Sequence, residues 1–313
     1  MMEHRLTADQ IDAFHAEGFL VAENLFDDAV LSAVADEITA EVDRQARLLL
    51  ADGQLSRLYE EEGFDTRLAR ISEETDLVAR RIWDGALHGP AIFNLLRHAP
   101  LLDAAEQLCG PELIASSVYR LRPKIPGHVQ SPVPWHQDSG YFEPYCDKAL
   151  VLTVWLPLVD ADEQNGCMWV LPRSHTNGVM RRRSRTGKPY LEIPEEAMPE
   201  IAPLCVPVRR GSALLLTNLT AHASFENCTD RVRWSMDLRY QSAALPTNAA
   251  VSRLPGEVEA SEADGVPVAC YPPEADFLVR SRLRPDEVVR TAEQFAQIRS
   301  GHRSVAVTNR WAG

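Results

Sequence analysis

The stretch Ala149-Leu150-Val151-Leu152-Thr153-Val154-Trp155-Leu156-Pro157-Leu158 reads as a β-strand, being short, apolar and rich in β-branched and aromatic residues. Four further runs of the same character, at 114–122, 168–171, 212–216 and 232–240, alternate with turns rich in proline and glycine. Several short strands separated by turn signals predict an antiparallel barrel or sandwich.

Working outward, the N-terminal part has a different period. Thr7 with Gln10 three residues on matches a capping box, Ile11, Phe14 and His15 follow at helical spacing, and Gly18 ends the segment. Phe19-Leu20-Val21 reads as a short strand. Val30, Leu31, Val34, Ile38 and Val42 then repeat with period 3.6, so a long helix is expected from residue 27 to about 50. More helix is expected over 91–109, stopped by Gly110-Pro111, and again over 285–298. Helices followed by strands predict an N-terminal helical shell packed on one face of a β core. The chain of 313 residues shows no repeat or linker and is read as one domain spanning 1–313. Segments 176–203 and 244–268 are read as insertions between strands, and long loops of this kind often act as lids.

Composition excludes some classes of function. A net charge of −13 argues against a nucleic-acid-binding surface, which needs clustered Lys and Arg. The six cysteines form no Cys-x-x-Cys pair, the opening MMEHRLTADQ lacks an apolar signal region, and no run of about 18 apolar residues occurs. The expectation is a cytoplasmic protein with reduced, structural cysteines and no membrane span.

The chemistry is carried by Trp135-His136-Gln137-Asp138. Two residues apart on a strand share a face, so His136 and Asp138 can fill adjacent positions around a metal. A third His from a distant strand would complete a two-His, one-carboxylate set with open positions, the arrangement of non-haem iron(II) oxygenases. Of nine histidines, His222 is favoured because it follows the apolar strand 213–216 and has Arg233 eleven residues beyond. Arg233 could grip a carboxylate bidentately. His175, in a turn after a strand, is the rival third ligand. The basic run Arg181, Arg182, Arg183, Arg185 and Lys188 would suit an anionic substrate if 176–203 is a lid, and a solvated face otherwise.

With these residues in place the sequence resembles the phytanoyl-CoA dioxygenase family of Fe(II)/2-oxoglutarate oxygenases. The resemblance covers most of the chain, through Leu6…Phe14…Gly18-Phe19, Pro134-Trp135-His136-Gln137-Asp138, Val154-Trp155-Leu156-Pro157, Asn165-Gly166-Cys167-Met168, Leu171-Pro172-Arg173-Ser174-His175 and His222-Ala223-Ser224…Asn227…Arg231-Val232-Arg233. Arg173 departs from the family's usual glycine. The resemblance implies a double-stranded β-helix (jelly-roll) core and iron held by His136, Asp138 and His222. It also implies 2-oxoglutarate and O2 as co-substrates, with the distal carboxylate of 2-oxoglutarate on Arg233 and Arg231 as the alternative anchor. Gln137, Trp155 and Ser224 fall where the family places co-substrate contacts, and Lys124 is expected to line the same cavity. The carboxylate of Asp138 argues against halogenation, since related halogenases carry a small residue there. Hydroxylation of a small molecule is the expected outcome. Desaturation, cyclisation, epoxidation or epimerisation at the same site is the alternative, and a non-catalytic metal-binding sensor is the alternative of another class.

Overall fold

The computed structural model describes residues 5–83, 87–116, 119–128, 132–141, 147–184, 190–245 and 276–301. From residue 246 on, the expected insertion 244–268 lies outside these, as do Arg185 and Lys188.

Helix α1 (Ala8–Glu17) starts where the sequence places it, with both hydrogen bonds of the Thr7–Gln10 capping box formed and Gly18 ending it at φ 83°. Strand β1 (Phe19–Ala22) and the long α2 (Asp28–Ala51) follow as expected. Helices α3 (Arg67–Glu74) and α4 (Leu77–Trp83) were not anticipated; each is too short for its periodicity to stand out. The single helix expected over 91–109 is instead two, α5 (Pro90–Leu96) and α6 (Ala99–Cys109). Pro100 explains the break. It has no N–H to continue the ladder and its ring would crowd the preceding turn, so His98 swings to ψ 124° and a new helix begins. In place of the helix expected over 285–298, Pro285–Glu287 forms a 3-10 turn and α7 spans Ala292–Gly301.

Among the described residues the strands form two main antiparallel sheets and a two-stranded ribbon, Arg183–Ser184 with Leu191–Glu192. The larger runs in the order β1, β10 (Ala213–Leu216), β5 (Val151–Pro157), β12 (Arg233–Ser242), β2 (Leu113–Ser116), β13 (Asp276–Arg280). The long β12 also holds β3 (Arg120–Lys124), so the strand expected over 114–122 is two, paired with opposite ends of β12. The smaller sheet runs β4 (Val133–His136), β11 (His222–Ser224), β6 (Met168–Val170), β9 (Leu204–Val206).

Period-2 alternation sorts the larger sheet into two unlike faces. Trp234, Met236, Leu238 and Tyr240 of β12, with Leu152, Val154 and Leu156 of β5, join a core that includes Phe14, Val34, Ile38, Phe93 and Leu101 of the helices. The intervening β12 residues Arg233, Ser235, Asp237 and Arg239 are buried on the opposite face. There Trp155, Leu214 and Leu216 pack against Met168, Val170 and Val206 of the smaller sheet. The polar side of β12 is thus the inside of the two-sheet sandwich, and its apolar side is the floor for the helices. Trp234 is central to that floor, fully buried, stacked on Phe64 and donating from Nε1 to the Phe64 carbonyl. Trp234→Ala is expected to cost about 3–5 kcal/mol in urea unfolding; a loss under 1 kcal/mol would mean the helices are held elsewhere.

Arg173 sits at φ 64°, in the left-handed region that favours glycine, while its backbone N–H donates to the Glu17 carbonyl. The turn therefore accounts for the glycine expected at this position, and an L side chain bears the strain here. Its side chain is 68% exposed, so little is lost by removing it. Arg173→Gly is expected to leave stability unchanged or raise it by up to about 1 kcal/mol, measured as the thermal midpoint; a clear fall would show the side chain to be structural.

Candidate metal centre

Antiparallel pairing of β11 with β4 sets His222 directly opposite His136, with ring centroids 4.2 Å apart. Asp138 completes the group, and one ligand atom from each of the three lies within 4.8 Å of the others. Asp138 is not on the strand, as the His-x-Asp reading supposed. Strand β4 stops at His136, and Asp138 opens a 3-10 turn fixed by the Ser139 N–H donating to the Asn218 carbonyl. His175, the rival ligand, lies elsewhere, its Nε2 within 3.0 Å of the His15 carbonyl.

The three side chains are prepared for a cation. Nδ1 of His136 lies 2.8 Å from the Pro134 carbonyl and Nδ1 of His222 lies 2.9 Å from the Thr220 carbonyl. A carbonyl can only accept, so each Nδ1 carries the proton and each Nε2 keeps its lone pair. Burial, reinforced by His222, pushes the pKa of His136 down to about 3, so its ring is neutral. Burial opposes ionisation of Asp138, yet Arg239 and the two imidazoles hold its carboxyl well below the usual carboxylate range. Its two oxygens accept from Arg239 Nη2 at 3.2 Å and from the Thr153 hydroxyl. Two neutral imidazoles and a carboxylate suit iron(II) and leave positions for further ligands.

These residues border a cavity that also includes Trp155, Ser224, Lys124 and Arg233. Arg233 is buried, with Nη1 donating to the Ser235 hydroxyl and Nη2 to the Gly166 carbonyl at 3.1 Å and to Ser224 Oγ at 3.2 Å. Its Cζ lies 5.2 Å from the centre of the Trp155 ring. Among the described residues, Nε meets no acceptor. Burial first, with Arg122 nearby, lowers its pKa to about 10, which still leaves it charged near neutral pH. Gly166 must be glycine, since it takes φ 77° and a Cβ there would lie 2.6 Å from the Phe225 carbonyl. Arg231, the alternative anchor, is 63% exposed and paired with Asp65 at 3.0 Å.

The other expected co-substrate residues divide. Lys124 does line the cavity, its Nζ donating to the Ser224 and Phe225 carbonyls, and burial together with Arg233 and Arg122 lowers its pKa to about 6. Gln137 does not line it. One residue from His136, it points the other way, donating to the Gly178 and Leu219 carbonyls and accepting from the Met180 N–H. It ties the start of 176–203 to the core. In that segment Arg183 pairs with Glu192 at 2.6 Å and Arg181 with Glu196 at 3.8 Å, so the basic run is partly balanced by the acidic stretch behind it.

Thr153, Asp237, Arg239 and Arg122 went unrecognised in the sequence. The signal was present in β12, where Arg-Trp-Ser-Met-Asp-Leu-Arg-Tyr alternates polar and apolar from Arg233 on. Once Arg233 is placed in the site, the alternation places Asp237 and Arg239 beside it.

A buried pair of imidazoles and a carboxylate between the sheets of a jelly roll marks a non-haem iron oxygenase. Residues 14–235 match the phytanoyl-CoA dioxygenase (PhyH) family model, and the chain belongs to that family. The phytanoyl-CoA dioxygenase domain-containing protein 1 of Bos taurus is 28% identical over 275 residues, 76% of this chain and 91% of that protein. Ectoine dioxygenase of Bordetella parapertussis is 26% identical over 229 residues, 71% of this chain and 68% of that one. Among solved structures, the apo form of the non-heme monooxygenase ThoJ shares the fold, with a TM-score of 0.57 and 20% identity, covering 96% of this chain and 97% of its own. The protein is thus an iron- and 2-oxoglutarate-dependent oxygenase. Among the described residues, no helix is long and apolar enough to cross a membrane.

Proposed function

We propose that this oxygenase hydroxylates a C–H bond of a small molecule, with His136, Asp138 and His222 as the metal ligands. Arg233 is the anchor for the distal carboxylate of 2-oxoglutarate. The reading rests above all on Arg233, a buried guanidinium on the same cavity as the three donors, with an N–H that meets no acceptor among the described residues. A charge left in that state in a protein interior calls for an anion.

Iron(II), when bound, supplies the O2-dependent oxidation that converts 2-oxoglutarate to succinate and CO2 and delivers oxygen to the substrate. The chain itself does the positioning. Trp155 lies against the guanidinium of Arg233, and Ser235, Ser224 and the Gly166 carbonyl fix its plane. A dicarboxylate gripped at one end by this fork presents its other end in a set direction. Lys124 adds a second amine to the same wall. Arg239 and Thr153 hold both oxygens of Asp138 and fix its orientation at the metal. Met168, Leu216 and Trp155 restrict water around the reacting centre.

The cavity joins the apolar side chains of Trp155, Met168 and Leu216 to a few charged and polar groups, the lining that suits a small-molecule ligand, and one relative is named ectoine dioxygenase. The test is to mix the iron-loaded protein with 2-oxoglutarate, O2 and a panel of small-molecule substrates, following succinate and product mass. Hydroxylation gives iron- and 2-oxoglutarate-dependent succinate together with a product heavier by one oxygen. Succinate with a product of unchanged oxygen content would replace hydroxylation by desaturation, cyclisation or epimerisation. Binding of iron and 2-oxoglutarate with no succinate under any condition would favour a sensor.

A further inference from the structure

Arg122 lies on β3, two residue pairs along from the Lys124–Arg233 pair and directly opposite Ser235 of β12. Its side chain therefore faces the inside of the sandwich, and it lines the same cavity as the three donors and Arg233. Nε donates to Oδ2 of Asp237, which holds one edge of the guanidinium against the sheet. Among the described residues, no acceptor meets its two terminal nitrogens. The pair is lopsided in exposure. The Arg122 side chain is 31% exposed where that of Asp237 is 11%, so the carboxylate is the buried foot and the guanidinium the accessible head.

Charge balance gives this head a purpose. Asp138 is matched by Arg239, and Arg233 by the distal carboxylate of 2-oxoglutarate. Asp237 is matched by Arg122. Iron(II) with the remaining carboxylate of 2-oxoglutarate then leaves the cavity positive. A neutral or cationic substrate would leave that excess buried. An anionic one neutralises it, and the outward fork of Arg122 has the planar two-donor geometry that carboxylates and phosphates fit. Trp83, Pro123 and Val133 border the same space and offer apolar surface for the rest of such a molecule.

We propose that Arg122, braced by Asp237, is the substrate-binding residue of this oxygenase, and that its substrate carries an oxyanion, a carboxylate or a phosphate, on an apolar body. The proposal rests on the iron- and 2-oxoglutarate-dependent reading above. It differs from the expectation drawn from the basic run Arg181, Arg182 and Arg183, because it places the anion inside the sandwich and not under a lid.

The test uses the full chain loaded anaerobically with iron(II) and 2-oxoglutarate, whose visible charge-transfer absorption reports that the co-substrate is in place. Three probes of one chain length are titrated in: hexanoate, hexyl phosphate and uncharged hexanamide. At least one of the two anions is expected to bind at least about tenfold more tightly than the amide, the least that a charge-assisted hydrogen bond contributes. Whichever anion is preferred identifies the oxyanion. Arg122→Gln should erase the preference while the charge-transfer absorption persists. Arg122→Lys should keep part of it, having the charge without the fork. Arg122→Gln leaves Asp237 buried without its cation and risks unfolding, so Arg122→Gln/Asp237→Asn removes both charges together and should give the same loss. Equal binding of amide and anions, no anion binding at millimolar concentration, or a preference that survives the double variant would overturn the proposal. A fall in 2-oxoglutarate affinity as large as the fall for the probe would also overturn it, by assigning Arg122 to the co-substrate. Failure of the wild-type protein to develop the charge-transfer absorption would instead refute the metal and co-substrate reading.

Discussion

Asp138→Asn is expected to abolish turnover and to reduce iron affinity by at least about a hundredfold, the upper end of what losing a mere supporting partner costs. The substitution keeps the volume of the side chain and a carbonyl oxygen for Arg239 Nη2, which now lies 3.2 Å from Oδ1. What it removes is the anionic donor between His136 and His222. Two neutral imidazoles alone make a poor site for a hard divalent ion. Iron binding can be followed without activity, because an ion that binds only the folded chain raises its unfolding temperature. Wild-type protein should show this rise on addition of iron(II) under anaerobic conditions, and Asp138→Asn should not. An unaltered rise would mean that the ion binds away from the candidate centre. His136→Ala is expected to behave in the same way, for loss of a lone pair instead of a charge.

Arg233→Ala is expected to raise the 2-oxoglutarate requirement more than a hundredfold, equivalent to about 3 kcal/mol for deleting one partner of a buried charge pair. Iron binding should survive, since the guanidinium of Arg233 bonds to Ser235, Gly166 and Ser224 and not to the three donors. That split separates the anchor from the ligands. Arg233→Lys is the informative companion. It retains the charge but cannot reach Ser235, Gly166 and Ser224 together as the planar guanidinium does. Its 2-oxoglutarate requirement should fall between wild type and Arg233→Ala. Unchanged 2-oxoglutarate dependence in Arg233→Ala would place the clamp elsewhere, and Lys124, on the adjoining strand position, would be the first residue to test.

Much of the site was legible along the chain because local spacing carries it. Thr7 with Gln10, the strands around Trp155 and Leu214, and the pair His136 and Asp138 are all features of a few consecutive residues. His222 and Arg233 could be joined to them through the eleven-residue interval and the family resemblance. Helices α3 and α4, and the break between α5 and α6, were harder, since a short helix gives few repeats and the break depends on Pro100. Gln137 shows the limit most clearly. Its place in the motif suggested a co-substrate contact, but the side chain serves the backbone of Gly178, Met180 and Leu219.

By itself the sequence determined the β core with its preceding helices, the donor types, and the candidate set His136, Asp138, His222 and Arg233. Each follows from residue chemistry and from periods of 2 and 3.6, which are properties of neighbouring residues. Only the tertiary structure decided which face of β12 looks inward, that Arg239 and Thr153 hold Asp138, and that Arg122 stands on Asp237 at the edge of the cavity. Those pairings join residues from 15 to 115 positions apart. Register between strands sets them, and register is fixed by burying Trp234, Met236, Leu238 and Tyr240 against the helices, since a slip of one residue would turn the charged face of β12 into the core.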